Sequence, residues 1–133
     1  MDEKTAKYYE NHAQDLLKRY NSAESPLASL VPVLFEKGQR VLDVGCGSGR
    51  DVSLLLEMGY DAYGIEPSDS LRELSVKSNP KLDGHIFKGS LPYLHDELTG
   101  EYDHIILSAV LMHIPDNSLF ESAYSLRSML KKG

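Results

Sequence analysis

The stretch that decides the fold is residues 41–49, VLDVGCGSG. It opens with apolar and β-branched residues, a pattern typical of a buried strand, and glycines then recur at positions 45, 47 and 49. A helical pattern begins near Arg50 and ends at Gly59. Because glycines permit positive φ and let a ligand contact the backbone, the stretch predicts a strand, a ligand-binding loop and a helix in succession.

Strand and helix patterns alternate on both sides of this stretch. Helical spacing of apolar residues covers residues 5–20, 26–37 and 69–78, and a last helix follows Pro115; strand patterns cover residues 61–66, 85–88 and 102–107. This alternation predicts an α/β fold, with a parallel sheet and helices on both of its faces. Ligands of such sheets bind beyond the carboxyl ends of the strands.

Composition narrows the class of protein. The 133 residues include 14 Lys+Arg and 20 Asp+Glu, giving a net charge of −6, which fits one domain and disfavours nucleic acid as a partner. No apolar run approaches the length of a membrane span, so we expect a cytoplasmic protein without a membrane partner. The single cysteine excludes an internal disulfide, and the histidines have no metal-ligand spacing, so we expect no metal site.

Two acidic residues select among ligand classes for the loop. Asp43 lies just before the first glycine, where its charge would repel a dinucleotide's phosphates by on the order of a few kcal/mol. The third glycine also comes one residue too early for the dinucleotide pattern. An ammonium ligand without phosphate, such as adenosine joined to an amino acid, would instead be attracted. Glu66, at the end of the next strand, can accept hydrogen bonds from ribose hydroxyls, although an ordinary solvated carboxylate is the competing interpretation.

Residues 41–49 resemble the first motif of the class I S-adenosylmethionine-dependent methyltransferases, and residues 64–68, GIEPS, resemble the second. The resemblance continues through residues 88–92, KGSLP, and through residues 102–103 and 108–115. It implies a Rossmann-like, three-layer fold with about four strands in the order 3-2-1-4, lacking the last strands of the family's seven. It also implies a single domain, 1–133, with lead-in helices over 1–38 and a cofactor-binding core over 39–133.

The resemblance assigns roles to matching positions. S-adenosylmethionine would be the cofactor and S-adenosylhomocysteine the product. The cofactor-binding residues would be Asp43 at the amino group, Gly45, Cys46 and Gly47 in the loop, Glu66 at the ribose, Ile65 and Pro67 beside the adenine, and Gly89, Ser90, Leu91 and Ser108. Ser90 stands where relatives often carry the Asp that binds the adenine amine. Cys46, between two glycines, is interpreted as a space-filler rather than a nucleophile. Tyr9 and Tyr20 would close over the cofactor or else serve only in packing.

The leading hypothesis is methyl transfer from S-adenosylmethionine to a small-molecule acceptor. This in-line displacement relies largely on positioning, and His113 is the candidate base, with a structural role at a helix start as the competing interpretation. A dinucleotide-dependent oxidoreductase and a cofactor-binding fragment or interaction module without turnover remain alternatives.

The length of the chain leads to an expectation about its sheet. The strand at residues 102–107, interior in relatives, would be an edge here. We therefore expect either a fragment of a longer protein or a short form that self-associates through this fourth strand.

Overall fold

Four parallel strands form the sheet at the centre of the molecule. A computed structural model describes Glu3, Lys4, Lys7 and residues 27–91, 101–107 and 119–131, without the side chains of Leu119 and Phe120. The strands are β1 (Arg40–Val44), β2 (Asp61–Ile65), β3 (Ile86–Phe87) and β4 (His104–Leu107). Their order is β3-β2-β1-β4, which confirms the predicted order.

Helices connect and cover these strands. They are α1 (Leu27–Leu34), α2 (Arg50–Glu57), α3 (Asp69–Ser78) and α4 (Leu119–Met129), and a 3₁₀ turn at Pro80–Leu82 follows α3. The predicted helix over residues 5–20 lies outside the described residues, apart from Lys7, which is helical.

Each face of the sheet buries its own apolar cluster. On one face, Val41, Ala62 and Ile106 pack with side chains of α1 and α2: Val31, Val52 and Leu55. On the other face, Leu42, Val44 and Ile65 pack with Tyr102 and with Leu126 and Met129 of α4. Because every strand residue points to one face or the other, helices on both sides are needed to bury the sheet.

The strand register brings the carboxyl ends of the central strands level with each other. Val44, the last residue of β1, pairs with Ile65 of β2 and with Leu107 of β4. One residue earlier, Asp43 pairs with Gly64 and with Ile106. The glycine loop after β1 and the acidic residue after β2 therefore leave the sheet side by side.

α3 occupies the predicted range 69–78, and Ser68 is its N-cap, because the Ser68 hydroxyl accepts the Leu71 N–H at 3.2 Å. The strands β2, β3 and β4 are shorter than the predicted ranges. The fourth strand was expected to include Tyr102, which instead forms an isolated parallel bridge with Leu130 after the end of α4. The Tyr102 N–H donates to the Met129 carbonyl at 2.8 Å, and its own carbonyl accepts the Lys131 N–H at 2.9 Å.

β4 lies at one end of the strand order, as expected. Self-association through this strand stays a prediction. Among the residues that the structure describes, no helix is both long and apolar enough to cross a membrane. Within the same ranges, no group of three or more His, Cys, Asp or Glu side chains is arranged to hold a metal ion.

Candidate functional site

The glycine loop folds back onto the end of β2. Gly45, Gly47 and Gly49 have φ values of 76°, 55° and 76°, in the left-handed region that side chains with a Cβ disfavour. The N–H groups of Gly45 and Cys46 both donate to the Ile65 carbonyl at 2.9 Å. The alternating glycines thus allow a tight turn whose backbone lies against the neighbouring strand.

Gly64 on β2 makes this close approach possible. A Cβ on Gly64 would lie 2.7 Å from Sγ and 2.8 Å from Cβ of Cys46, and 2.9 Å from Cγ2 of Val52. Real Cβ atoms do not approach other atoms so closely. The loop after β1 therefore depends on the missing side chain at Gly64.

The Glu66 carboxylate joins the loop to α3. One oxygen accepts the Gly47 N–H at 3.1 Å, and the other accepts the Ser68 N–H at 2.8 Å. The residue is only 2% exposed, and its own N–H donates to the Phe87 carbonyl at 3.0 Å. Backbone donors thus fix both carboxylate oxygens next to the glycine loop, since charge-assisted hydrogen bonds of this kind are among the stronger ones.

Asp43 is a buried carboxyl group surrounded by other charges. It is 2% exposed. Burial raises its pKa well above the ordinary value, the carboxylates of Asp51 and Glu66 raise it further, and the Arg50 guanidinium opposes them. Arg50 itself donates from Nε to Oδ1 of the buried Asp51 at 3.2 Å. Three carboxyl groups therefore lie near the Arg50 guanidinium at this end of the sheet, and the Arg72 guanidinium bonds to the Glu66 carbonyl.

Cys46 packs within the apolar cluster beneath the loop. Burial raises the pKa of its thiol well above the ordinary value, and the charges of Asp43 and Glu66 act in the same direction. A neutral, buried thiol is a poor nucleophile. This environment agrees with the interpretation of Cys46 as a space-filler.

The arrangement suits a cationic ligand that also carries hydroxyl groups. A positive group would offset the mutual repulsion of the carboxylates around Asp43, whereas a pyrophosphate would add to it. The Glu66 carboxylate oxygens lie beside the backbone of the glycine loop, where Gly47 is buried and Gly45 is half-buried.

A family model described as a methyltransferase domain matches residues 9–133. The chain belongs to this methyltransferase family. An uncharacterized methyltransferase from Anoxybacillus flavithermus is 29% identical over 98% of the chain and 61% of its own length. A ubiquinone biosynthesis O-methyltransferase from Xanthomonas axonopodis pv. citri is 30% identical over 83% of the chain and 49% of its own length. The methyltransferase domain thus spans 61% and 49% of the lengths of these two relatives.

Solved structures share the fold of this methyltransferase domain. A TehB-like SAM-dependent methyltransferase from Corynebacterium glutamicum superposes with a TM-score of 0.73 at 18% identity, over 97% of this chain and 68% of that one. Magnesium protoporphyrin IX methyltransferase from Synechocystis, solved with bound SAM, has a TM-score of 0.73 at 22% identity, over 98% and 73% of the two chains. The Rossmann-like fold predicted from the sequence is therefore confirmed.

The structure describes most of the site residues predicted for the methyltransferase domain. Asp43, the loop and Glu66 lie together: the Gly47 N–H donates to Glu66, and the Glu66 charge raises the pKa of Asp43. Beyond β3, Ser90 is half-buried and donates from Oγ to the carbonyl of the buried Leu91 at 3.2 Å. Pro67 and Gly89 are also half-buried. Four of the predicted residues lie outside the described ranges: Tyr9, Tyr20, Ser108 and His113.

Sequence reasoning missed several residues that build this site. Asp51 lies in the first turn of α2, where an acidic residue is common, but it is buried and its charge raises the pKa of Asp43. Gly64 was not singled out, although its missing side chain admits the loop. Ser68, the N-cap of α3, and Arg72 and Ser75 on α3 bond to Glu66 or to Gly47. Their spacing of four and three residues on one helix face was the available signal.

Proposed function

We propose that this methyltransferase domain binds S-adenosylmethionine at the carboxyl ends of β1 and β2 and transfers its methyl group to a small-molecule acceptor. One observation carries the proposal: the buried Asp43 carboxyl group lies among other carboxylates beside the glycine loop. An ammonium group offsets that repulsion, whereas the two phosphates of a dinucleotide increase it, by about 4 kcal/mol for each unit charge at 4 Å and an effective dielectric constant of 20.

The residues around the loop have separate roles in this proposal. Asp43 receives the amino group, directly or through water, and Glu66 accepts hydrogen bonds from the ribose hydroxyls. Gly45 and Gly47 present backbone that contacts the ligand, and Cys46 fills the space beneath them. The adenine lies beside Ile65 and Pro67, close to the residues that follow β3: Gly89, Ser90 and Leu91. Ser108, Tyr9 and Tyr20 complete the binding residues.

The chemistry demands mainly positioning from the chain. When bound, S-adenosylmethionine would supply an electrophilic methyl carbon on its sulfonium centre: an acceptor atom would bond to that carbon in line with the C–S bond, which breaks so that S-adenosylhomocysteine leaves. Asp43 and Glu66 hold the two ends of the ligand at fixed points of a rigid sheet, which lowers the entropic part of the barrier. His113 is the residue we assign to remove a proton from an oxygen or nitrogen acceptor, since its ordinary pKa lies near neutrality.

Calorimetric titration with S-adenosylhomocysteine tests the binding step. We expect saturable heat at micromolar to millimolar ligand and a raised melting temperature, with smaller effects from NAD(H). No binding at millimolar S-adenosylhomocysteine would refute the proposal. Stronger protection by NAD(H) would favour the dinucleotide-dependent oxidoreductase instead.

The acceptor needs a separate experiment. The names of the relatives point to different acceptors. The relative from Xanthomonas is named for ubiquinone biosynthesis, and the solved structure from Synechocystis is named for magnesium protoporphyrin IX. A mouse glycine N-methyltransferase is 31% identical over 67% of the chain. A screen of phenolic, carboxylic and amine acceptors, with the methylated product detected by mass spectrometry, should yield a product. Cofactor binding without any product would favour the cofactor-binding module without turnover.

A further inference from the structure

Two polar side chains of α3, Arg72 and Ser75, bond to the backbone of the candidate site, beside the N-cap residue Ser68. Residues four and three positions apart on a helix share one face. We propose that Arg72 and Ser75 are positioning residues for the ligand: they hold Glu66 and Gly47 in the geometry that binds ribose hydroxyls. The inference rests on the proposed function and assigns the control of ribose recognition to two side chains of α3.

Ser75 links α3 to the glycine loop. Its side chain is 1% exposed, and its Oγ lies 3.2 Å from the Gly47 carbonyl and 2.6 Å from the Leu71 carbonyl. A hydroxyl has one proton, so the group is shared between its own helix and the loop. The Gly47 N–H donates to Glu66 at 3.1 Å. Gly47 is thus held through its carbonyl by α3 and through its N–H by the carboxylate.

Arg72 fixes the backbone of Glu66. Its Nη1 donates to the Glu66 carbonyl at 2.7 Å, and its Nη2 pairs with the Asp69 carboxylate one turn earlier on α3. The guanidinium is mostly buried, with 17% of the side chain exposed. The Glu66 N–H donates to the Phe87 carbonyl at 3.0 Å. Glu66 is therefore held through its N–H by β3, through its carbonyl by Arg72 and through its carboxylate by the loop and Ser68.

This network has a consequence for affinity rather than for the fold alone. A carboxylate that is already oriented loses little side-chain entropy when it accepts hydrogen bonds from a ligand. If the side chain of Arg72 or Ser75 is removed, Gly47 and Glu66 gain conformational entropy in the free protein. Part of this entropy is lost when the ligand binds, which weakens binding. One net hydrogen bond corresponds to about a 3- to 10-fold change in an equilibrium constant.

The test uses the variants Ser75→Ala and Arg72→Met, and two quantities are measured for each of them. Calorimetry gives the affinity for S-adenosylhomocysteine, and competition against it gives the ratio of affinities for adenosine and 2′,3′-dideoxyadenosine. We expect each variant to bind S-adenosylhomocysteine about 3- to 10-fold more weakly and to lose a similar factor from that ratio, because Glu66 is the group that reads the hydroxyls. Ser75→Thr keeps the hydroxyl and should restore the ratio.

Ser122→Ala is the matched control. Ser122 is also a buried helical serine, 1% exposed. It lies on α4, which packs on the cluster of Leu42, Val44 and Ile65. It should change stability without changing the nucleoside ratio.

The outcomes separate the inference from the proposed function. A wild-type chain that does not bind S-adenosylhomocysteine overturns the proposed function and, with it, the inference. If the wild-type chain binds S-adenosylhomocysteine but the variants weaken the binding of both nucleosides equally, or of neither, the inference alone is overturned. An equal loss of the ratio in Ser122→Ala also overturns it, since a general loosening of the fold would then be the cause. Urea unfolding of each variant verifies that it is folded.

Discussion

Replacing Gly64 with alanine tests how the site is built. The added Cβ would lie 2.7–2.8 Å from two atoms of Cys46 and 2.9 Å from Cγ2 of Val52. Carbon atoms in good contact lie about 3.5–4.0 Å apart, so the new methyl group overlaps its neighbours by close to 1 Å. The loop must move away from β2, because the Cys46 Cβ is attached directly to its backbone.

The free energy of unfolding should fall by about 1–3 kcal/mol in Gly64→Ala. Overpacking of a core costs about that amount. Gly64 has no positive φ, so its backbone conformation adds no strain, and alanine gains about 0.4–1 kcal/mol through the unfolded chain. Displacement of the loop also lengthens the hydrogen bond from the Gly47 N–H to Glu66, so we expect weaker binding of S-adenosylhomocysteine than in the wild-type chain.

Urea unfolding and calorimetry of four variants form the assay: Gly64→Ala, Cys46→Ala, the double variant and Gly38→Ala. Cys46→Ala removes the Sγ contact and should recover part of the stability that Gly64→Ala loses. Gly38 has a φ of 81° and open space around its Cβ position, so Gly38→Ala should lose about 1 kcal/mol by backbone strain alone and leave ligand affinity unchanged. An equal loss from Gly64→Ala with and without the Cys46 thiol would refute the role of this contact.

Three titratable groups, Asp43, Glu66 and Cys46, each give a further prediction. Because its folded-state pKa is raised, Asp43 destabilises the ligand-free protein when it is ionised, and this destabilisation disappears as pH falls from the raised pKa towards the ordinary value. Asp43→Asn should therefore increase the unfolding free energy near pH 7 by on the order of 1 kcal/mol or more while abolishing S-adenosylhomocysteine binding; lower stability in urea would contradict this. Glu66→Gln places an amide against the N–H of Gly47 or Ser68 and should lose about 1–3 kcal/mol of stability, together with the preference for adenosine over 2′,3′-dideoxyadenosine. Cys46 should resist iodoacetamide at pH 8 in the native protein and react fully in urea, as followed by mass spectrometry; rapid native labelling would show that the thiol is accessible and ionised.

The place of the candidate site could be predicted from local sequence patterns, whereas the order of the strands was implied by the resemblance of those patterns to the class I methyltransferases. A buried strand, a glycine loop, a helix and a second strand ending in Glu66 lie within about thirty residues, and a right-handed crossover leaves few ways to arrange them. Asp43 and Glu66 were identified from the same patterns, since the carboxyl ends of neighbouring parallel strands meet at one edge. The parallel register that places Val44 beside Ile65 bears this out.

By itself, the sequence determined the α/β class and the two acidic residues of the candidate site, and its resemblance to the methyltransferase family implied the order 3-2-1-4. Only the tertiary structure decided which residues support them. Asp51 has an unremarkable sequence position, yet it is buried near Asp43; Gly64 lies inside a strand pattern, yet it admits the Cys46 loop; Ser75 bonds to a residue 28 positions away. Periodicity reports which face of an element is buried, whereas contacts across elements depend on distances that no local pattern contains.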